Sequence, residues 1–447
     1  MNTAPEEEFG TKDIRKLLIK QAVPAAVGIL FMTVNILIDA IFVGRWIGSL
    51  AIAALTVITP VVFIITSIGL AIGIGGSSVI SRALGKNDRE TALSAFAHQI
   101  TMVFVLSMVI MLAGFFFSDQ MLALFGAKGN IIEPARLFLL PILASAPFMG
   151  FIIMGSSVMR AEDKSKFAMV AIIIAAVANI ALDILLIKVF DLGIPGAAFA
   201  TAASYFISFL YILWFFRFKS SMKLQWKHFK LKPKLLSEIS GLSLTTFSRQ
   251  SVISILSILL NHVLYAHGGE HSVTIYGIIS RLLMFALFPV SGIAEGFLPI
   301  AGFNYGAKKM ERVRESIKIS IKYAAIIAIV IYSIILVFAH QIVTVFTDDA
   351  TIIRDTPNAL RWVFAASPVI AVQLIGSAYF QAAGQALKAL LLTLTKQGFF
   401  LIPLILILPH YFGIFGVWVS FPIADILATS VTGSFLLKEM NTKLKSS

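Results

Sequence analysis

Apolar runs of about 20 residues recur from Ile14 to Leu437, each long enough to cross about 30 Å of hydrocarbon as a helix. No other feature restricts the fold so strongly, because a soluble domain cannot hide that much apolar surface. Composition agrees: 58% of the 447 residues are hydrophobic and only 13% are charged, against about 25% charged in soluble domains. The chain is read as an all-α polytopic membrane protein.

Charged clusters and Gly or Pro breaks divide the first half into six spans, at about 14–44, 50–82, 92–117, 131–157, 166–188 and 195–216. Six more follow at about 235–266, 272–303, 314–338, 352–383, 388–409 and 414–437. Of the 36 Lys and Arg residues, 28 then fall on the side carrying both termini and 6 on the other, with Arg249 and Arg281 inside spans. Such a bias predicts an even number of spans and two cytoplasmic termini. The N-terminal sequence is acidic and polar, unlike a cleaved signal peptide.

The halves echo each other at an offset of about 221 residues. Gly85-Lys86 matches Gly306-Ala307-Lys308, MRAEDKSK (159–166) matches FQAAGQAL (380–387) at its opening, and FDLGIPGAA (190–198) matches YFGIFGVW (411–418). Six spans per half in the same sense predict two six-helix lobes related by a pseudo-two-fold axis along the membrane normal, with a substrate path between them. The expected organisation is a cytoplasmic tail (1–13), a first lobe (14–217), a cytoplasmic linker (218–234), a second lobe (235–437) and a second cytoplasmic tail (438–447).

The net charge of +13 does not point to nucleic acid, since the basic residues sit where anionic lipid would meet them, above all in the linker. There is no Cys, and hence no disulfide or thiolate chemistry. No G-x4-G-K-[ST] or HExxH motif occurs, which argues against an intrinsic ATPase or metalloenzyme. Gly69, Gly73 and Ser77, and again Gly292 and Gly296, recur every four positions and predict close helix packing.

Ionisable groups inside spans cost about 2.5–3.5 kcal/mol each and usually mark ion or substrate pathways. Four acids qualify: Asp39, Asp183, Glu295 and Asp425. Asn35 and Asp39 share one face of span 1, and Asn179 and Asp183 repeat that spacing on span 5. Asp39, Asp183 and Thr201 all lie roughly 8–9 Å below the extracytoplasmic surface, at 1.5 Å per residue. Two carboxylates, two amides and a hydroxyl at one depth suit an oxygen cage for Na⁺, or a proton site. Glu295 suits a second-lobe cavity that attracts cations or carries a proton. Arg281 stands 14 residues from it, about 21 Å along a helix, which is too far to pair without bending. Asp425 is read as structural. Nine prolines fall inside spans, at 24, 60, 141, 147, 289, 299, 368, 403 and 422. Each removes a helical hydrogen bond and permits a kink, so span 1 could bend on protonation of Asp39.

NILIDAIFVGRWIG (35–48), GGSSVISRALGKND (75–88), MRAEDKSK followed by NIALDILL (179–186), EGFLPIAGFNYGAKKMERV (295–313), FQAAGQALKALLL (380–392) and FPIADIL (421–427) together resemble the multidrug and toxic compound extrusion (MATE) family, in its bacterial DinF-like and MepA-like branches. The resemblance runs in order through nearly the whole chain. It implies a two-lobed alternating-access antiporter of the bacterial inner membrane, expected to act as a monomer, without cofactor. Such a protein exports mostly cationic organic compounds against H⁺ or Na⁺. The first-lobe cation site of the family falls here on Asp39, Asn179, Asp183 and Thr201. One departure is Glu295, where the family often carries Gln; an acid there favours cationic substrates. Two rival readings are a lipid-linked oligosaccharide flippase, which a broad basic cavity would favour, and a membrane-embedded aspartyl hydrolase. The second lacks any Gly-bearing protease context around either Asp.

Overall fold

A computed structural model describes residues 5–444, which are helical with short turns and contain no strand. The first half carries α1 (Ile14–Trp46), α2 (Ser49–Gly85), α3 (Arg89–Phe116), the short α4 (Ser118–Leu124), α5 (Ile132–Ala161), α6 (Ser165–Asp183) and α7 (Gly193–Phe218). The second carries α8 (Pro233–Gly306), α9 (Met310–Thr344), α10 (Ala350–Phe364), α11 (Ile370–Ala382), α12 (Ala386–Leu394), α13 (Ile402–Phe412) and α14 (Ile414–Thr442). A π turn over Ile184–Val189 prolongs α6, and another over Thr395–Leu401 joins α12 to α13. Among the described residues, ten helices are long and apolar enough to cross a membrane. Outward-facing apolar side chains such as Phe104, Val109 and Phe116 on α3, and Val330, Ile334 and Val337 on α9, suit lipid rather than water.

Two expected span boundaries change. The spans expected at about 235–266 and 272–303 are continuous in α8, which has 74 residues and would measure about 110 Å if unbroken. Gly269 breaks it with φ 60° and ψ −160°, a conformation that side-chain-bearing residues avoid. The span expected at about 352–383 is instead split into α10 and α11 by residues 365–369. Pro368 has no N–H to give the helix, and its ring disfavours helical geometry at the residue before it. The chain there turns through shorter bonds, Ser367 N to Phe364 O at 3.0 Å and Val369 N to Ala366 O at 3.1 Å.

The internal repeat is visible in the backbone. Gly48 and Gly269, Asn87 and Lys308, and Asp163 and Gly384 all adopt positive φ, and each pair is 221 residues apart. At the first of the matched GK turns, Asp88 caps α3 by accepting from the Thr91 amide at 3.0 Å. The hydrogen bonds from the Thr91 hydroxyl and amide hold the Asp88 carboxyl below its usual value of 3.8.

The described residues form two compact units. One runs from Val27 to Ser243; the other joins Phe9–Ala26 to the chain from Leu244 onward. The division falls inside α1, just past Pro24, and inside α8. Within the first unit, α2 packs on α5, where a Cβ at Gly69 would meet the Gly150 carbonyl oxygen at 3.0 Å and one at Gly73 the Met154 Cα at 3.0 Å. The basic segment after α7 is pinned rather than loose. Glu162 is buried and accepts from Ser220 Oγ at 2.6 Å, while Lys232 Nζ donates to Ser94 Oγ at 2.8 Å. Within the second unit, the start of α1 lies against α8 at the Gly292 and Gly296 stripe. The tail expected over 1–13 is fastened there from Phe9, whose carbonyl accepts from Asn304 Nδ2 and Arg312 at 2.9 Å each.

A Cβ at Gly292 would lie 2.8 Å from the backbone nitrogen of Ala26, an atom that cannot swing away. Gly292→Val is expected to cost about 1–3 kcal/mol, read as a lowered melting temperature in detergent. Gly277→Ala, where nothing lies within 4 Å, leaves melting unchanged or raised. Because Asp88 is held low in the folded chain, its cap contributes fully above 3.8 and is lost as pH falls through the depressed value. The melting difference between wild type and Asp88→Ala therefore persists at neutral pH and shrinks only in acid below about pH 4.

Candidate cation site in the first unit

Three helices of the first unit bring their polar side chains together. Asn35 and Asp39 lie one turn apart on α1, and Asn179 and Asp183 one turn apart on α6. The two helices approach closely because Gly28, two turns before Asn35, leaves room for Ile172, whose Cδ1 would sit 3.0 Å from a Cβ there. Asn35 Nδ2 donates to Asn179 Oδ1 at 2.8 Å and to the Ala176 carbonyl at 3.4 Å. Asn179 Nδ2 in turn reaches Thr201 Oγ1 on α7 at 3.4 Å, and Thr201 donates to the Ala197 carbonyl at 3.1 Å. The result is a hydrogen-bonded rung across α1, α6 and α7.

One turn beyond that rung, the carboxyl groups of Asp39 and Asp183 lie against each other. Asp183 is fully buried, and Asp39 is half-buried. Neither oxygen of Asp183 has a hydrogen-bond donor, nor does Oδ1 of Asp39. The π turn begins at the residue after Asp183, and such insertions in helices are frequent at functional sites. Sequence reading missed Tyr205, which stands one turn after Thr201 on α7 and within electrostatic range of Asp39. The four-residue step from Thr201 was the available signal. Among the described residues no group of three or more His, Asp or Glu side chains is placed to hold a metal. A Na⁺ ion here would rely on the two acids with the neutral oxygens of Asn179 and Thr201.

The remaining candidates belong to the second unit. Glu295 is half-buried on α8, and its basic neighbour is Arg249, from the first part of the same broken helix, rather than Arg281. Asp425 on α14 is buried and pairs with Lys396, whose Nζ lies 2.7 Å from its Oδ1. Lys396, counted among the 28 basic residues on the side of the termini although it falls in the span expected at about 388–409, stands within the π turn, inside a helix long enough to span.

A repeated set of membrane-length helices that encloses a pair of facing acids is the architecture of a membrane transporter. The MatE family model matches residues 24–185 and again 245–407, so the chain belongs to the MATE family of multidrug efflux transporters and is not an enzyme. The second match begins one repeat offset after the first. Multidrug export protein MepA of Staphylococcus aureus (strain NCTC 8325 / PS 47) is 28% identical over 420 residues, covering 94% of this chain and 92% of its own. An outward-facing multidrug resistance MATE family transporter of the MOP superfamily superposes with a TM-score of 0.92 at 27% identity, over 98% of both chains. A MATE crystallised in the bent conformation gives 0.93 at 26% identity, over 99% of this chain and 98% of its own.

Removing the Asn35 amide leaves the buried Asn179 oxygen without its donor. Asn35→Ala is expected to destabilise the folded protein by about 1 kcal/mol or more, measured as a fall in melting temperature that Asn35→Asp does not reproduce in kind, since it adds a third acid to the cluster.

Proposed function

We propose that this protein is a cation-coupled antiporter that exports organic, mostly cationic, compounds by alternating access. The observation that carries this reading is the contact between Asp39 and Asp183 without any donor between them. Two ionised carboxylates cannot stay together in low dielectric, so the pair calls for a cation between its oxygens. H⁺ and Na⁺ both answer that need. The hydrogen bonds already joining Asn35, Asn179 and Thr201 favour H⁺, because they engage the neutral oxygens a Na⁺ cage would draw on. The name of the S. aureus relative, a multidrug export protein, supports the direction and breadth of transport.

Twelve crossings follow if α8 crosses twice about Gly269 and the split α10–α11 pair crosses once. The excess of Lys and Arg on one side then sets both termini in the cytoplasm, in the inner membrane of a bacterium. The protein works as a monomer with two lobes, residues 14–217 and 235–437. In the cycle, an external cation binds Asp39, Asp183 and their neighbours. α1, weakened at Pro24, changes its bend, substrate affinity falls, and the loaded protein returns after release. The relative crystallised in a bent conformation supports such a change. Glu295 adds negative charge that favours cationic substrates, tempered by Arg249. One charge moving down about 150 mV supplies roughly 3.5 kcal/mol, enough for a several-hundred-fold gradient of a neutral substrate. A cationic substrate needs more ions per cycle or electroneutral exchange.

In proteoliposomes with H⁺ and Na⁺ gradients imposed independently, Asp39→Asn and Asp183→Asn are each expected to slow gradient-driven efflux of a fluorescent organic cation at least tenfold. Transport by Asp39→Asn at the wild-type rate would overturn the mechanism. The gradient that drives the wild type names the coupling ion.

A further inference from the structure

Within hydrocarbon, irregular backbone is tolerated only where protein or a cavity supplies what the helix has lost. Such irregularities of the second unit include residues 365–369 between α10 and α11 and the π turn Thr395–Leu401. Both border one cavity of about 200 Å³: Ser367 from the first, Lys396, Gln397 and Leu401 from the second. Asp425 lies on the same wall, held by Lys396 at 2.7 Å. Most of the remaining wall is apolar, with Leu256, Tyr276 and Phe421 among its members.

Stability does not explain this arrangement. Replacing a buried ion pair by apolar side chains is often neutral or stabilising, so a pair kept beside a cavity asks for another role. We propose that the cavity is a second ligand site, distinct from the acid pair of the first unit, that takes small zwitterionic amphiphiles. The selectivity follows from charge balance. A lone cation reaches Asp425 only by displacing Lys396 and stranding its ammonium group. A lone anion drawn to Lys396 strands the carboxylate of Asp425 in the same way. A ligand bearing both groups inserts between the two residues, sets its ammonium on Asp425 and its carboxylate on Lys396, and leaves no buried charge without a partner. Its apolar body then fills the rest of the chamber. The volume lies below the roughly 300–1,000 Å³ of drug-sized sites, which suits a molecule the size of an aromatic amino acid.

The test is equilibrium binding of radiolabelled phenylalanine to the full-length protein in nanodiscs, with protein-free nanodiscs as background. Phenethylamine and 3-phenylpropionate, its singly charged isosteres, serve as competitors. The expected result is saturable binding, with each isostere competing at least tenfold more weakly than unlabelled phenylalanine. Binding is lost in Lys396→Met/Asp425→Leu, whose melting temperature stays at or above that of wild type. It is also lost in Ala286→Phe, which fills the cavity and keeps the ion pair. Absence of saturable binding to wild type, equal competition by all three compounds, or undiminished binding in either variant would overturn the proposal.

Discussion

A carboxyl group surrounded by hydrocarbon must find a proton, a metal cation or a basic side chain, and much of this protein is arranged around that requirement. The two units answer it differently. In the second, Asp425 is neutralised by Lys396, so the charge is settled within the protein. In the first, Asp183 faces another acid, and in the proposed function an ion from outside settles the charge. A closed pair needs nothing from solution, whereas on the proposed reading the pair of acids depends on an ion. That dependence is what a transporter needs if the ion is to drive it.

Helix contacts put the acids where they are. Within lipid there is little hydrophobic gain in bringing helices together, so close approach depends on small residues that let backbones touch. Gly28 admits Ile172 and sets α1 beside α6, which in turn places Asn35 within reach of Asn179. The start of α1 meets α8 at Gly292 and Gly296 by the same means. α1 thus contributes to both units, and Pro24 sits close to the point where it passes from one to the other. A helix so placed, with one hydrogen bond missing near its division, is the natural element to couple charge in one unit to a change of shape.

Much of this could be read from the sequence because membrane burial makes polar residues conspicuous. The steps from Asn35 to Asp39 and from Asn179 to Asp183, with the depth of Thr201, identify the cluster before any coordinates do. The repeat offset likewise reappears in the left-handed residues, because turns at matching positions need the same rare backbone. Other features were hidden for physical reasons. Tyr205 sits in a helix crowded with aromatic residues, where only its four-residue step from Thr201 separates it from rings that face lipid. Nothing local links Lys396 to an acid 29 residues further along the chain, and only the fold brings it to Asp425. Nine prolines stand inside expected spans, yet Pro60, Pro141 and Pro289 are carried in continuous helix while the chain leaves helix at Pro368. Tertiary packing decides which of them breaks a helix, and sequence does not record it.

In the proposed cycle, a coupling cation at the Asp39–Asp183 pair and the organic cation oppose each other's binding. The most direct measurement is cation release on ligand binding. Tetraphenylphosphonium is added to purified protein in weakly buffered solution, with a pH indicator and ²²Na⁺ followed in parallel. Linkage predicts release of about one H⁺ or Na⁺ for each ligand bound by wild type, and no release from Asp39→Asn. Ligand binding to wild type with neither ion released would contradict the account.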